Sequence, residues 1–381
     1  MEVRKVLILQ RRLTKYRLPF FEMLRTHLRQ QDIELSVAYG ISTDQETLRQ
    51  DEGVLSWGCA LPSRYFCVGQ TPLLWQSLPL SWVSAKDLVV LSHESALLVN
   101  YWLLGYSSLR GRPLTAFWGH GKNFQQEKTN RFKEAWKRML LRAPDWWFGY
   151  TDLTREVLLQ ANYPENRITI VQNAIDTRGL LADADRCSEN DVNELRQTLG
   201  LRGRNVGVFC GSLYQGKRLD LVLEAAIRIR KRIEDFELLI IGSGPQESVV
   251  REAAATHDWI RYVGKRIGRE KVLYLKLAHV FLLPHIVGLA ILDSFALGLP
   301  IMTMNNNSHS PEIAYLRHSE NGLMCENRVE SYSEQVIDLL EDPVRLAAMS
   351  DTCRRDARLY TIENMVSNFS NGIRECLSIR W

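Results

Sequence analysis

The sequence predicts an α/β protein of two doubly wound domains, each built on a parallel sheet with helices between the strands. Short aliphatic runs recur along the chain with helix-like stretches between them, which is typical of parallel sheets. This rhythm restarts near residue 206 after a polar interval, so two sheets are expected rather than one. The length of 381 residues agrees, because two domains of ~190 residues each give ordinary cores.

The aliphatic runs give the expected strands. In the first domain they lie at residues 3–9, 33–39, 87–91, 114–118, 146–150 and 168–171. In the second domain they lie at residues 206–210, 237–241, 260–263, 280–283 and 299–303. We predict domains over residues 1–182 and 183–360, followed by a final helix over 361–381. The polar stretch 176–190 lacks periodicity and is expected to be an exposed linker.

Composition excludes several classes of protein. Hydrophobic residues make up 45% of the chain and charged residues 24%, a balance typical of folded globular proteins. The seven cysteines are scattered and form no Cys-x-x-Cys pair, so neither a disulfide framework nor a zinc site is expected. A net charge of +4 without a long basic run argues against a nucleic-acid partner. The chain shows no signal-peptide pattern and no apolar stretch of the ~18 residues that span a membrane, so the cytoplasm is the expected location.

A glycine turn directly after the strand at 206–210 predicts a phosphate-binding loop. Gly211 and Ser212 begin this turn, and Lys217 and Arg218 end it. Glycine lets the backbone approach a diphosphate, and the following helix offers free N–H groups. A lysine at this place stabilises a leaving group that becomes more negative as its bond breaks. We therefore expect Lys217 to stabilise a departing diphosphate.

Two later loops add to this expected site. The first ends the strand at 237–241 with glycines and precedes a helix, although any turn between a strand and a helix can use glycine. The second opens another helix, whose amino terminus is expected to face phosphate groups. Within that helix Asp293 is placed to accept hydrogen bonds from a ribose diol. The candidate residues of these two loops are Gly242, Gly244, Gly288, Leu289, Ala290 and Asp293.

Five segments resemble, in order and spacing, the motifs of glycosyltransferase family 4, a family of retaining enzymes with the GT-B fold. They are 171–176 (V-x-N-G-V-D in the family), 211–217 (G-R-L-x-x-x-K), 239–245 (the glycine loop on the nucleotide side), 285–293 (E-x7-E) and 321–323 (N-G-L). The resemblance implies two Rossmann-like domains that face a central cleft. The nucleotide-sugar donor would bind the second domain and the acceptor the first, and the final helix would cross back to the first domain. It implies no metal and no other cofactor.

The sequence departs from the family at three positions. Ser212 stands where the family usually has an arginine, which leaves Lys217, helped by Arg218, as the main cation. His285 and Asp293 replace the two glutamates that, in the family, contact the transferred sugar and hold the ribose. Because histidine can donate as well as accept a hydrogen bond, a deoxy, amino or acidic donor sugar is a hypothesis for this chain.

The resemblance also implies a third catalytic residue beside Lys217 and His285. His120 lies between two glycines after the strand at 114–118, and it matches the family histidine that contacts the donor sugar near the reacting carbon. A lone histidine is more often structural, but the flanking glycines and the position at the end of a strand favour a role in the site.

Two basic segments of the first domain have two interpretations each. The loop after the first strand could bind an anionic acceptor such as a lipid-linked diphosphate, or it could be a solvated loop. Its candidate acceptor-binding residues are Arg11, Lys15, Tyr16 and Arg17. A predicted helix over 126–143 has cations along one flank, which suits either an anionic membrane or a core-facing helix with a solvated flank.

The resemblance therefore implies a retaining hexosyltransferase of bacterial polysaccharide or lipopolysaccharide synthesis. Its donor would carry UDP or GDP rather than TDP, its acceptor would be a glycan or a lipid-linked glycan, and it would work in the cytoplasm or on the inner face of the cell membrane. The alternatives are a nucleotide-sugar 2-epimerase of similar fold and a catalytically decayed GT-B scaffold. Donor turnover separates them, because transfer needs an acceptor, epimerisation does not, and a scaffold does neither.

Overall fold

The computed structural model describes residues 3–47, 51–69, 71–121 and 138–379. The chain divides into two compact units, one formed by Met1–Ile175 and Ile362–Trp381 and the other by Asp176–Thr361. The boundary therefore follows residue 175 rather than residue 182. The difference arises because the stretch expected to be a linker folds into helices of the second unit. There the Lys276 ammonium donates to the carbonyl oxygens of Ala184 (2.6 Å) and Cys187 (3.0 Å) and ties this stretch to the unit.

The first unit is built on a seven-stranded parallel sheet with the order β3-β2-β1-β6-β7-β8-β9. Its strands are β1 (Arg4–Gln10), β2 (Ile33–Gly40), β3 (Cys59–Leu61), β6 (Leu88–Ser92), β7 (Leu114–Gly119), β8 (Trp146–Gly149) and β9 (Ile168–Ile170). An antiparallel hairpin of β4 (Ser63–Val68) and β5 (Thr71–Gln76) stands apart. The predicted parallel sheet is confirmed. Short β3 and the hairpin were not predicted, because they lack the long aliphatic runs of central strands.

Helices connect these strands. They are α1 (Leu18–Arg29), α2 (Asp44–Thr47), α3 (Leu80–Ser84), α4 (Leu98–Arg110) and α5 (Asp152–Gln160). The predicted helix over 126–143 falls mostly outside the described residues, which show helical backbone only at 138–141. Throughout the part of the chain that the structure describes, no helix combines the length and the apolar character needed to cross a bilayer.

The second unit is built on a six-stranded parallel sheet with the order β12-β11-β10-β13-β14-β15. Its strands are β10 (Asn205–Cys210), β11 (Phe236–Ile241), β12 (Ile260–Gly264), β13 (Val280–Leu282), β14 (Ile301–Met304) and β15 (Gly322–Cys325). Its helices are α6 (Arg178–Arg186), α7 (Glu189–Thr198), α8 (Leu219–Arg232), α9 (Glu247–Thr256), α10 (Gly268–Lys276), α11 (Ala290–Ala296), α12 (Val329–Leu340) and α13 (Pro343–Ala357). Every residue of β11 is buried, as suits a strand with helices on both faces.

The last helix, α14 (Ile362–Leu377), belongs to the first unit. The ring of Phe369 stacks on that of Phe148 with centroids 4.2 Å apart and an interplanar angle of 4°. Gly372 allows this close approach, since a Cβ atom there would lie 2.3 Å from the Thr169 hydroxyl. The buried residues of this helix, which include Phe369 and Ile373, thus pack against the first unit.

Candidate active site

Two glycine loops of the second unit bind each other through their backbones. The N–H of Gly211 donates to the carbonyl oxygen of Ile241 (3.0 Å), and the N–H of Leu213 donates to that of Ser243 (3.0 Å). A Cβ atom at Gly242 would lie 1.9 Å from the Gly211 carbonyl oxygen, and φ at Gly242 is +150°. Only glycine fits this approach. The loops after β10 and β11 therefore form one continuous backbone surface at the carboxyl edge of the sheet, where ligands of such sheets bind.

Lys217 crosses from the first of these loops to the loop after β13. Its ammonium donates a hydrogen bond of 2.7 Å to the carbonyl oxygen of Ile286. Burial lowers the pKa of Lys217 to about 8. Among the described residues no carboxylate forms an ion pair with this ammonium. A bound anion would favour its charged form. The predicted role of Lys217 at a departing diphosphate stays a prediction.

His285 binds back to the Lys217 loop. Its Nδ1 lies 2.9 Å from the carbonyl oxygen of Gly216. A carbonyl oxygen only accepts hydrogen bonds, so Nδ1 carries the hydrogen in this contact. With the hydrogen on Nδ1, Nε2 of an uncharged imidazole would be a hydrogen-bond acceptor.

The loop after β13 is held by two residues that the sequence analysis did not identify. His309 accepts a hydrogen bond from the N–H of Val287 (3.2 Å) through Nδ1 and donates to the carbonyl oxygen of Met304 (2.8 Å) through Nε2. Burial lowers the pKa of His309 to about 4, which keeps the ring neutral. Asn306 donates to the carbonyl oxygen of His285 at 3.3 Å. In the sequence, the only indication of His309 and Asn306 was a cluster of polar residues directly after the strand at 299–303.

Asp293 lies in an ion pair that was also not predicted. The Lys271 ammonium lies 2.8 Å from Oδ2 of Asp293, and their side chains are 23% and 18% exposed. Burial alone would lower the pKa of Lys271, but the Asp293 carboxylate raises it above its ordinary value, so the ammonium stays charged. Cys210 lies close to the pair, and burial raises the pKa of its thiol to about 12. The partners are 22 residues apart in sequence, too far for a local pattern to reveal.

Other predicted donor-binding residues are placed less directly. Arg218 is exposed, and its guanidinium binds the Asp220 carboxylate at 2.7 Å, so it is already engaged by a neighbour rather than held beside Lys217. That Arg218 assists Lys217 stays a prediction. Ser212 is exposed on the loop. Gly288 and Leu289 precede α11, which begins at Ala290.

The first unit contains a pocket of about 190 Å³ at the carboxyl ends of its central strands. Buried strands end in Gln10, Ser92 and Gly119, and the loops that follow them supply the polar side chains. The residues that line the pocket are Gln10, Arg11, Arg12, Thr14, Tyr16, Arg17, Ser92, His93, Glu94, Trp118, Gly119, His120 and Tyr150. The structure thus brings His120 together with Arg11, Tyr16 and Arg17, whereas Lys15 does not line the pocket.

His120 is neutral in this pocket. Burial, with a smaller contribution from Arg17, lowers its pKa to about 4. Its ring packs edge to face on Tyr150 with centroids 4.6 Å apart. Its Nδ1 is buried and has no hydrogen-bond partner among the residues that the structure describes. The same holds for Nε2 of Gln10 and Nε1 of Trp118, which are both hydrogen-bond donors.

The basic loop after β1 is not an open cluster of cations. Arg11 binds Glu46 through its terminal nitrogens and Glu94 through Nε at 3.1 Å. Burial alone would raise the pKa of Glu46, but the hydrogen bond from Arg11 lowers it to about 2. Arg12 binds Asp51 at 2.8 and 3.0 Å. These carboxylates neutralise much of the positive charge that the sequence suggested for an anionic acceptor.

Arg17 differs from its neighbours because aromatic rings surround it. It is 5% exposed, and its guanidinium carbon lies 4.7 Å from the Trp118 ring centroid and 5.6 Å from that of Tyr150. Its Nη2 donates to the Tyr150 hydroxyl at 3.4 Å. Arg17 is therefore a cation fixed in the wall of the pocket. The described residues contain no cluster of three histidine, cysteine or acidic side chains that would suit a metal ion.

Comparisons with known proteins agree with this geometry. Residues 204–342 match the model of the family described as Glycosyl transferases group 1. An uncharacterized glycosyltransferase of Haemophilus influenzae is 27% identical over 167 residues, which cover 42% of this chain and 46% of that protein. A GDP-mannose-dependent monoacylated alpha-(1-6)-phosphatidylinositol monomannoside mannosyltransferase of Corynebacterium glutamicum is 28% identical over 172 residues, which cover 42% of this chain and 44% of that protein.

The chain thus spans a little under half the length of these relatives. The whole fold is matched by the crystal structure of Anabaena Alr3699/HepE in complex with UDP. That structure is 12% identical, has a TM-score of 0.69, and the match covers 97% of this chain and 99% of that one. The comparisons therefore show a GT-B fold, and residues 204–342 resemble the group 1 glycosyl transferases.

Proposed function

We propose that this protein is a retaining, metal-independent glycosyltransferase that moves a sugar from a nucleotide diphosphate to a glycan or lipid-linked acceptor. The observation that carries the proposal is the surface made by the two glycine loops together with Lys217. Backbone N–H groups and one ammonium, gathered at the carboxyl edge of a parallel sheet, are the groups that bind a diphosphate.

The donor binds the second unit in this proposal. The ammonium of Lys217 uses one hydrogen for Ile286 and keeps two for the phosphate oxygens. Asp293 accepts a hydrogen bond from the ribose, and the backbone near Gly288 faces the phosphates. A UDP or GDP sugar is the preferred donor. One relative is named as GDP-mannose-dependent, and one structure of the same fold was solved with UDP, which supports this choice.

The reaction exchanges one bond at the anomeric carbon. The bond to the diphosphate oxygen breaks as the acceptor oxygen bonds to that carbon from the same face, and the acceptor proton passes to the departing phosphate. No protein nucleophile is required, and Lys217 stabilises the charge on the leaving group. His120, neutral at physiological pH, serves as a hydrogen-bonding group rather than a cation.

The acceptor binds the pocket of the first unit. Buried donors at Gln10 and Trp118, with the fixed cation of Arg17, suit oxygen atoms of a glycan or of its anionic carrier. The relative from Corynebacterium is named for a phosphatidylinositol mannoside, which supports a lipid-linked acceptor. We therefore propose action in cell-envelope polysaccharide or lipopolysaccharide synthesis, at the cytoplasmic face of the membrane.

The test measures release of nucleoside diphosphate from a panel of UDP and GDP sugars, with and without a membrane lipid extract as acceptor. Transfer predicts release that depends on the extract and that Lys217→Met abolishes. Lys276→Met is the matched control, because Lys276 also donates to backbone carbonyls of the second unit but lies away from the glycine loops. Donor interconversion without the extract would identify an epimerase. Failure to bind any nucleotide would instead support the scaffold.

A further inference from the structure

The ion pair of Lys271 and Asp293 leaves both a hydrogen-bond acceptor and hydrogen-bond donors available to a ligand. Oδ2 of Asp293 accepts from the Lys271 ammonium at 2.8 Å, and the described residues show no side-chain hydrogen bond to Oδ1. The ammonium has three hydrogens and uses one in this bond. The side chains of Lys271 and Asp293 are 23% and 18% exposed, so a ligand can reach them.

The pair is fixed at the edge of the expected donor site. Lys271 lies on α10 and Asp293 on α11, and Cys210, the last residue of β10, is close to both. Gly211 follows Cys210 directly and belongs to the glycine loop. A group bound to the ion pair would therefore lie beside the surface that suits a diphosphate, as a ribose does in a nucleoside diphosphate.

We propose that Lys271 is a ribose-specificity residue that acts together with Asp293, an inference that rests on the proposed function. One ribose hydroxyl donates to Oδ1 of Asp293, and the oxygen of the neighbouring hydroxyl accepts from the Lys271 ammonium. A carboxylate alone would accept hydrogen bonds from both hydroxyls. The ion pair instead requires one hydroxyl to donate a hydrogen bond and the other to accept one.

Electrostatics favours the same arrangement. An isolated Asp293 would place a negative charge near a ligand that already carries several, and like charges at short range in a partly buried site repel strongly. The Lys271 ammonium cancels that charge while leaving an oxygen free. The shorter side chain of aspartate, compared with glutamate, leaves room for the lysine within 2.8 Å of the carboxylate.

The experiment compares the dissociation constants of the preferred nucleoside diphosphate and of its 2′-deoxy and 3′-deoxy forms by calorimetry. Wild-type protein is expected to bind the ribose form more tightly than each deoxy form by about tenfold or more, because each deoxy form loses one hydrogen bond to a charged group. In Lys271→Met this preference should fall below ~threefold for one of the two deoxy forms. Lys276→Met, on the same helix, is the matched control and should keep the wild-type ratio.

A purely structural role for Lys271 gives a different result. Lys271→Met would then lower the melting temperature but leave the ratio of deoxy to ribose dissociation constants unchanged, and this outcome overturns the inference. The double variant Lys271→Met/Asp293→Leu leaves neither an unpaired buried charge nor a hydrogen-bonding group, so it replaces Lys271→Met if that variant is unstable, with an expected ratio near one. Wild-type protein that binds no nucleoside diphosphate at all would overturn the proposed function itself.

Discussion

The ammonium of Lys217 lies 2.7 Å from the carbonyl oxygen of Ile286, which joins the loop after β10 to the loop after β13. The return contact, from His285 to the carbonyl oxygen of Gly216 at 2.9 Å, makes the connection reciprocal. Two loops that are far apart in sequence are therefore linked by two hydrogen bonds. The consequences for binding and stability can each be tested.

Lys217→Met should weaken the binding of nucleoside diphosphate by roughly 10- to 100-fold, because a charge-assisted hydrogen bond is lost. In the wild-type protein a bound diphosphate favours protonated Lys217, whose pKa without ligand is about 8. Affinity should therefore be constant near pH 7 and fall as pH rises through 8 and above, and the variant should lose this dependence. Calorimetry between pH 6.5 and 9.5 checks both expectations (roughly the window around that pKa).

His285→Asn and His285→Gln separate the two ring nitrogens. The asparagine amide can replace Nδ1 and donate to Gly216, whereas the glutamine carbonyl can replace the acceptor Nε2. If Nε2 contacts the donor sugar, the asparagine variant should lose about tenfold in kcat/KM with little change in the affinity for nucleoside diphosphate. The glutamine variant should retain more of its preference for the natural sugar over deoxy analogues. Equal losses of nucleotide affinity in both variants would show that His285 only supports the Lys217 loop.

Gly242→Ala should destabilise the second unit by about 3 kcal/mol or more, because the added Cβ meets the Gly211 carbonyl oxygen at 1.9 Å with φ at +150°. Gly105→Ala is the contrasting substitution. Gly105 lies in α4 with nothing within 4 Å of the added Cβ, so alanine should stabilise the helix by about 0.5–1 kcal/mol. Urea unfolding of the two variants measures both values. A neutral Gly242→Ala would contradict the close approach of the two loops.

His309 should make the protein less stable in mild acid. Its pKa is lowered to about 4 in the folded protein from an ordinary value of 6.5, so only the unfolded chain takes up a proton between these values. The neutral His309 ring therefore contributes its full stability above pH 6.5. As pH falls from 7 to 5, the free energy of unfolding decreases by about 2 kcal/mol. His309→Asn, which can still accept from Val287, should be less stable at pH 7 but less sensitive to pH. Urea unfolding at pH 7, 6 and 5 compares the two proteins, and parallel pH profiles would refute this role.

The parts of the site that sequence predicted are those made by consecutive residues. Gly211, Lys217 and the glycines at 242 and 244 follow strands that their aliphatic runs revealed, and the structure places them at one edge of one sheet. His120 was found in the same way. The stretch 176–190 was misinterpreted because α6 has no buried residue and is held by contacts from α10, which no local pattern shows.

The sequence by itself determined two parallel sheets and the loops that carry the candidate ligands, because strand alternation and glycine turns are local properties of the chain. Only the tertiary structure decided which charges remain available. Arg12 and Asp51 are 39 residues apart and Lys271 and Asp293 are 22 apart, yet each pair is in hydrogen-bond contact. Charge pairing depends on distances between atoms in space. Arginines that are neighbours in sequence are therefore paired with carboxylates in the first unit, whereas Lys217 in the second unit is available to bind an anion.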